Sequence, residues 1–103
     1  MSSEVHDARL IQVGYDKLTV TSSAVKTLTS SQYANATHAV IQTDQNIRYM
    51  LDHAGGSLAT DKGMKHTATS ADLTIPAKDF SLFGMIAEST SATVEIMYLQ
   101  VKA

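Results

Sequence analysis

The residues of this 103-residue chain that could do chemistry are few: histidines at 6, 38, 53 and 66, seven Asp, three Glu and the pair Gly55-Gly56. A local metal motif needs ligands a few residues apart, and the histidines stand too far from one another for that. Asp52-His53 and His66 flank one long loop and could converge in space, but no spacing supplies the outer partners that orient metal ligands, so they read as loop or strand residues. With no Cys there is neither a disulfide nor a thiolate site for zinc or an iron–sulfur cluster. Gly55-Gly56-Ser57 lacks the Gly-Lys-Ser/Thr that completes a phosphate loop and has no helix to lend its dipole. Ten carboxylates will always permit some pairing after folding, so a two-acid hydrolase is not singled out. His38 has no identifiable nucleophile to serve. The sequence therefore predicts no enzyme, no cofactor and no metal.

The remaining polar candidates concern binding. Arg48, beside Tyr49, suits a cross-strand ion pair with an Asp or Glu, or else a contact to a partner's carboxylate. Eight Lys and Arg against ten Asp and Glu give a net charge of −2, so no field attracts a polyanion and nucleic acid is not expected as a partner. No stretch approaches the roughly 20 apolar residues of a membrane span. Met1 to Asp7 is polar and acidic where a secretory signal would be basic and then apolar, so export and use of the sequon Asn35-Ala36-Thr37 are not expected.

Positioning falls to strands. Twelve Thr and eleven Ser suit a β-rich, loop-rich surface, and no sustained helical period is visible. Residues 1 to about 9 read as a flexible arm, and residues 10–103 as one domain. Leu10 to Val13, closed by Gly14, and Leu18 to Val20 read as two brief strands, with Ala24 to Leu28 a third and Tyr33 anchoring the following loop. Thr37 to Gln42 and Ile47 to Leu51 read as a hairpin around Thr43-Asp44-Gln45-Asn46. The loop Asp52 to Gly63 is long enough to hold a function. Met64 to Ala68 and Asp72 to Ile75 follow, Pro76 stopping the latter. Phe80 and Phe83 suit one helical turn beneath a sheet, and Met85 to Ala87 resumes extended chain. About seven or eight short strands predict an all-β fold, an antiparallel β-sandwich or small barrel, jelly-roll-like.

The last strand, Ala92 to Val101, is expected to be the longest. It carries Val94, Ile96 and Tyr98 on one face and Met97, Leu99 and Val101 on the other, where a half-solvated strand would alternate with polar residues. Either a second layer of the same domain covers the outer side, or another subunit does. On the second reading Met97, Leu99 and Val101 form an interface, to which Arg9, Leu10 and Arg48 are added as candidates.

Ala36-Thr37-His38-Ala39-Val40-Ile41-Gln42, Ile47-Arg48-Tyr49-Met50-Leu51-Asp52, Gly63-Met64, Leu73-Thr74-Ile75, Phe83-Gly84-Met85-Ile86-Ala87 and Ala92-Thr93-Val94-Glu95-Ile96-Met97-Tyr98 together resemble small β-structured virion proteins of tailed bacteriophages. In that pattern the loop after Leu-Asp carries Gly and Pro, whereas Asp52-His53-Ala54-Gly55-Gly56 has no Pro. The resemblance implies a non-enzymatic structural protein located in the virion. Its most concrete form is a capsid decoration or cement protein acting as a homo-oligomer, a trimer being favoured, on the major capsid protein or another virion protein. A neck, collar or tail component is the alternative within that class, and a ligand- or carbohydrate-binding β-sandwich the alternative outside it.

Overall fold

A computed structural model describes residues 9–102. Eight strands run β1 (Arg9–Thr21), β2 (Lys26–Thr27), β3 (His38–Thr43), β4 (Ile47–Met50), β5 (Met64–His66), β6 (Leu73–Pro76), β7 (Gly84–Ala87) and β8 (Ser91–Lys102), with short helices α1 (Ser30–Tyr33) and α2 (His53–Gly56). They form two four-stranded sheets, a ribbon sheet ordered β1-β8-β3-β6 and a short sheet ordered β2-β7-β4-β5. Every pairing is antiparallel. The order has a simple generator. First strand pairs with last, second with seventh, third with sixth and fourth with fifth, as in one long hairpin rolled up so that alternate rungs fall on opposite sheets. That is the jelly roll, an all-β sandwich.

Between the sheets lies the core. Val20, Ala39, Ile41, Ile75, Val94, Ile96 and Tyr98 from the ribbon sheet meet Ile47, Met85 and Ala87 from the short one. Burying each large side chain contributes about 1.5–3 kcal/mol. A one-turn 3-10 helix, Ala77–Asp79, delivers Phe80 and Phe83 to the interior, as their spacing predicts. Tyr33 is the expected loop anchor, its ring 5.0 Å from that of Phe80, which in turn meets Tyr98 edge-on at 6.2 Å. The buried Tyr98 hydroxyl donates to Asp16 Oδ2 at 3.1 Å, so it is not left unpaired. Burial, then the charge and the hydrogen bond of Asp16, push the Tyr98 phenol well above its ordinary pKa.

Several local expectations give way to the rolled ribbon. Gly14 does not end a strand: β1 runs 13 residues through a bulge between Gln12 and Gly14, and so exceeds the 12-residue β8 as the longest strand. A side chain at Gly14 would strike the Gln32 carbonyl of α1, whose Gln32 Oε1 accepts the Tyr15 N–H at 3.3 Å. Gly14 is thus a point of close approach. Of the stretch Ala24 to Leu28 only Lys26 and Thr27 pair as a strand. β3 and β4 are not a hairpin, because they lie in different sheets and the turn at 44–46 carries the chain across the sandwich. Turn chemistry fixed the bend, while non-local pairing with β8 and β6 fixed β3's partners. Arg9 opens β1; the rest of the expected arm lies outside the described residues.

Candidate functional site

The outer face of the short sheet carries Arg48, Met50, Gly84 and Ile86, the positions that alternate with the inward Ile47, Tyr49, Met85 and Ala87. It is closed by the chain itself. The segment after β4 folds back as α2, capped by Asp52, whose Oδ1 accepts the Gly55 N–H at 2.9 Å. His53 occupies the space that a Gly84 side chain would need, Gly56 sits on the Met50 sulfur, and Leu58 is buried against Gly63. Arg48 Nε donates to Glu88 Oε2 at 2.7 Å and Nη1 to the Gly63 carbonyl at 3.0 Å, with Lys65 Nζ 3.5 Å from Glu88 Oε1. Desolvation alone would raise the Glu88 carboxyl, but the hydrogen bonds and charges of Arg48 and Lys65 outweigh it and hold the pKa below its ordinary value. Ile86 is buried beneath this cover.

Among the described residues no such layer lies over the ribbon sheet. Its register sets Leu10 opposite Val101, Gln12 opposite Leu99 and Tyr15 opposite Met97, while β3 adds Val40 beside Met97 and His38 beside Leu99. Leu10 is 55% exposed, Tyr15 45%, Val101 44% and Met97 41%, with half-buried Leu99 and Val40 between them. Toward the other end the same face turns polar. Lys17 and Gln42 flank Glu95, Thr19 faces Thr93, and Asp44 Oδ1 accepts the Thr93 N–H at 2.7 Å. Tyr15 marks the boundary, its hydroxyl donating to Glu95 Oε2 at 2.6 Å, a bond to a carboxylate that raises the phenol's pKa. A shallow hollow of about 270 Å³ lies here, lined by Gln12, Tyr15, Val40 and Met97 and by Gln42, Asp72 and Glu95.

β8 is therefore central within its sheet, between β1 and β3, but no second layer of described residues covers Met97 and Val101. Of the two readings of its doubly apolar pattern, a covering layer of the same domain is not found among the described residues. The structure brings Leu10, Met97, Leu99 and Val101 together on one face. Arg9 stands at the ribbon's tip, one residue out of phase with Leu10 and so on the reverse side. Arg48 lies on the other sheet, in the ion pair with Glu88. Tyr15 and Val40 complete the face and were missed. The bulge shifts the phase of β1, so counting by twos from Leu10 does not reach Tyr15.

The described histidines, at 38, 53 and 66, do not converge. His38 Nδ1 lies 2.9 Å from Thr37 Oγ1, His53 belongs to the cover, and His66 is buried on β5 opposite Ile47. Among the described residues no three His, Asp or Glu side chains are grouped so as to hold a metal ion, and no helix is long and apolar enough to cross a membrane. The loop Asp52 to Gly63 serves as the cover of the short sheet. No protein-family model, curated protein or solved structure matches the chain.

Proposed function

We propose that this chain is a structural protein that works by docking through the outer face of its ribbon sheet, most concretely as a decoration protein of a tailed-phage capsid. One observation carries the reading. Among the described residues a dozen cover the outer face of one sheet and none covers the other, where Leu10, Tyr15, Met97 and Val101 are each at least two-fifths exposed. Contiguous apolar surface of that kind on a small domain marks an interaction site. Two observations support a virion partner: the resemblance of the strand segments to small virion proteins, and a jelly-roll topology of the kind viral capsid domains use. The topology also serves lectins and cupins, so it does not choose a function unaided.

Attachment rests on apolar contact. Leu10, Tyr15, Val40, Met97, Leu99 and Val101 bring no carboxylate, ammonium or guanidinium group, so binding through them should change little with salt, since screening acts on charges. The test mixes the purified chain with purified particles of the phage that encodes it. Co-sedimentation at fixed stoichiometry, surviving about 0.5 M NaCl and lost in Met97→Asp, is the expected result; absence of binding to capsids, necks or tails sinks it.

The hollow beside Tyr15 favours a second reading. An exposed ring next to Gln42, Asp72 and Glu95 is the combination that stacks and hydrogen-bonds a sugar. Saturation-transfer NMR against a glycan panel decides it, with a signal lost in Tyr15→Ala expected if the hollow binds sugar.

A further inference from the structure

We infer that a polar hollow at the seam between the two sheets, walled by Gln42, Thr43, His66, Thr67, Ser70 and Asp72, is a binding site for a single neutral sugar unit. None of the exposed apolar residues of the ribbon sheet lines it, so the site is separate from the docking face. With the hollow beside Tyr15 it shares only Gln42 and Asp72, and it makes no use of the Tyr15 ring.

The hollow forms where two pairings run out. β6 pairs with β3 from Pro76 opposite His38 to Leu73 opposite Ile41, while β3 continues along β8 as far as Thr43, so the β3 edge at Gln42 and Thr43 has no strand beside it. On the other sheet β5 ends at His66, and residues 67–72 cross from one sheet to the other. The crossing begins with a fixed turn. The Ser70 N–H donates to the Thr67 carbonyl at 3.1 Å and the Thr67 N–H to Ser70 Oγ at 3.4 Å, with the two hydroxyls 2.5 Å apart. The space left is about 280 Å³, at the lower end of the roughly 300–1,000 Å³ range of ligand pockets and so sized for one small unit.

His66 is the observation that points to a ligand. At 7% exposure it is the one residue outside the apolar and aromatic set that is buried among the described residues, and it stands opposite the fully buried Ile47. No described residue hydrogen-bonds its ring, yet the ring nitrogens are not sealed, since Asp79 Oδ2 is the one sealed and unpartnered side-chain atom among the described residues. The exposed part of His66 is therefore its polar edge, and it opens into the hollow that the residue lines. A buried imidazole without a partner costs the fold free energy that an apolar residue there would not. A ligand hydroxyl offsets that cost, because a ring with one donor and one acceptor nitrogen matches a group that both donates and accepts.

The rest of the lining selects the ligand. No Lys or Arg lines the hollow, and Lys65, the residue before His66, points to the opposite side of β5 and pairs with Glu88. With the Asp72 carboxylate on the wall, an anion is repelled. No three metal-ligating side chains are grouped among the described residues, so His66 and Asp72 do not make a metal site. No aromatic ring lines it either, so a flat apolar group has nothing to stack on. A neutral molecule with adjacent hydroxyls fits every group present. Asp72 accepts from two hydroxyls at once, the Gln42 amide donates and accepts, and the hydroxyls of Thr43, Thr67 and Ser70 do both. A sugar is held here by its hydroxyl edge, not by the face of its ring.

The experiment is saturation-transfer NMR of the full chain with the methyl glycosides of glucose, galactose, mannose and N-acetylglucosamine, titrated through the millimolar range. Wild type, His66→Leu, Asp72→Ala, Tyr15→Ala and Met97→Asp are compared, each checked by far-UV circular dichroism. At least one glycoside should bind wild type, Tyr15→Ala and Met97→Asp alike, and bind His66→Leu and Asp72→Ala about tenfold more weakly, as loss of one good hydrogen bond implies. His66→Leu should melt no lower than wild type, because the ring has no hydrogen bond within the fold to lose. Asp72 is exposed, so Asp72→Ala decides the matter should His66→Leu misfold. No signal from any glycoside, or a folded His66→Leu that binds as wild type does, overturns the inference. A signal lost in Tyr15→Ala and kept in His66→Leu also overturns it, and leaves the hollow beside Tyr15 as the sugar site. Failure of the docking reading looks different: a chain that binds no particle but takes up a glycoside through His66 upholds this site and sinks the virion role.

Discussion

The two sheets bury the same kind of interior and treat their outer faces in opposite ways. Outside the short sheet, glycines at 56, 63 and 84 let a loop lie close enough to seat Leu58 and His53, and Arg48 ties the edge to Glu88. Outside the ribbon sheet, side chains of equal apolarity stand in the open. In a domain this small one chain cannot wrap everything it makes apolar, so the covered side reports what the fold needs, and the open side is the one proposed to meet a partner.

The comparison begins from sameness inside. Ile96→Ala in the ribbon sheet and Ile47→Ala in the short sheet, both fully buried, should each lower stability by about 2–5 kcal/mol in urea denaturation. A tenfold smaller loss on either side would mean that one sheet is not part of a shared core. The outer faces should then part company. Leu58→Ala should cost about 2 kcal/mol, the low end for a buried leucine because the loop can settle, whereas Met97→Ala, measured at a concentration where the chain is monomeric, should stay within about 0.5 kcal/mol. Equal losses would break the contrast. Gly84→Ala tests the cover's fit, since its Cβ would come within 2.5 Å of His53 Cβ and 2.8 Å of Val25 Cγ1. A loss of about 1–3 kcal/mol is expected, with amide exchange accelerated across the loop after β4 more than in β8.

The smallest effect is electrostatic. Because the folded state holds the Glu88 carboxyl below its ordinary value of 4.5, the pair's contribution is fully present above that value and is lost as pH falls through the lowered one. Glu88→Gln should therefore be slightly less stable than wild type at neutral pH, with the gap closing on acidification. A gap that widens in acid contradicts the assignment.

Much of this could be read from the chain. Alternation alone separates Val94, Ile96 and Tyr98 from Met97, Leu99 and Val101, because a strand's two faces are fixed by period. Phe80 and Phe83 were readable for a similar reason. What escaped was whatever depends on distant parts of the chain. Gly14 looks like a stop because nothing nearby shows that Gln32 will need its missing side chain. Thr43 to Asn46 has hairpin chemistry, yet whether a turn closes a hairpin or crosses between sheets depends on strands some 50 residues away, such as β8. The loop Asp52 to Gly63 suggested function through its length, and only Leu58, one large apolar residue in a glycine-rich stretch, hinted that it was a cover. Val40 was visible as a strand residue in step with His38, but its place beside Met97 required the register of β8.

The pairing of β1 with β8 has a mechanical corollary. Arg9 faces Lys102, so the described chain enters and leaves the sandwich at one tip. Tension applied at those two residues peels the ribbon open pair by pair, each hydrogen bond bearing the whole load in turn, as a zipper opens from its end. Pressure or traction delivered to the middle of the ribbon sheet is instead shared among the many rungs of three strand pairings at once. The domain is soft along its ends and stiff across its face, and a tether fused at both ends would pull in its weakest direction.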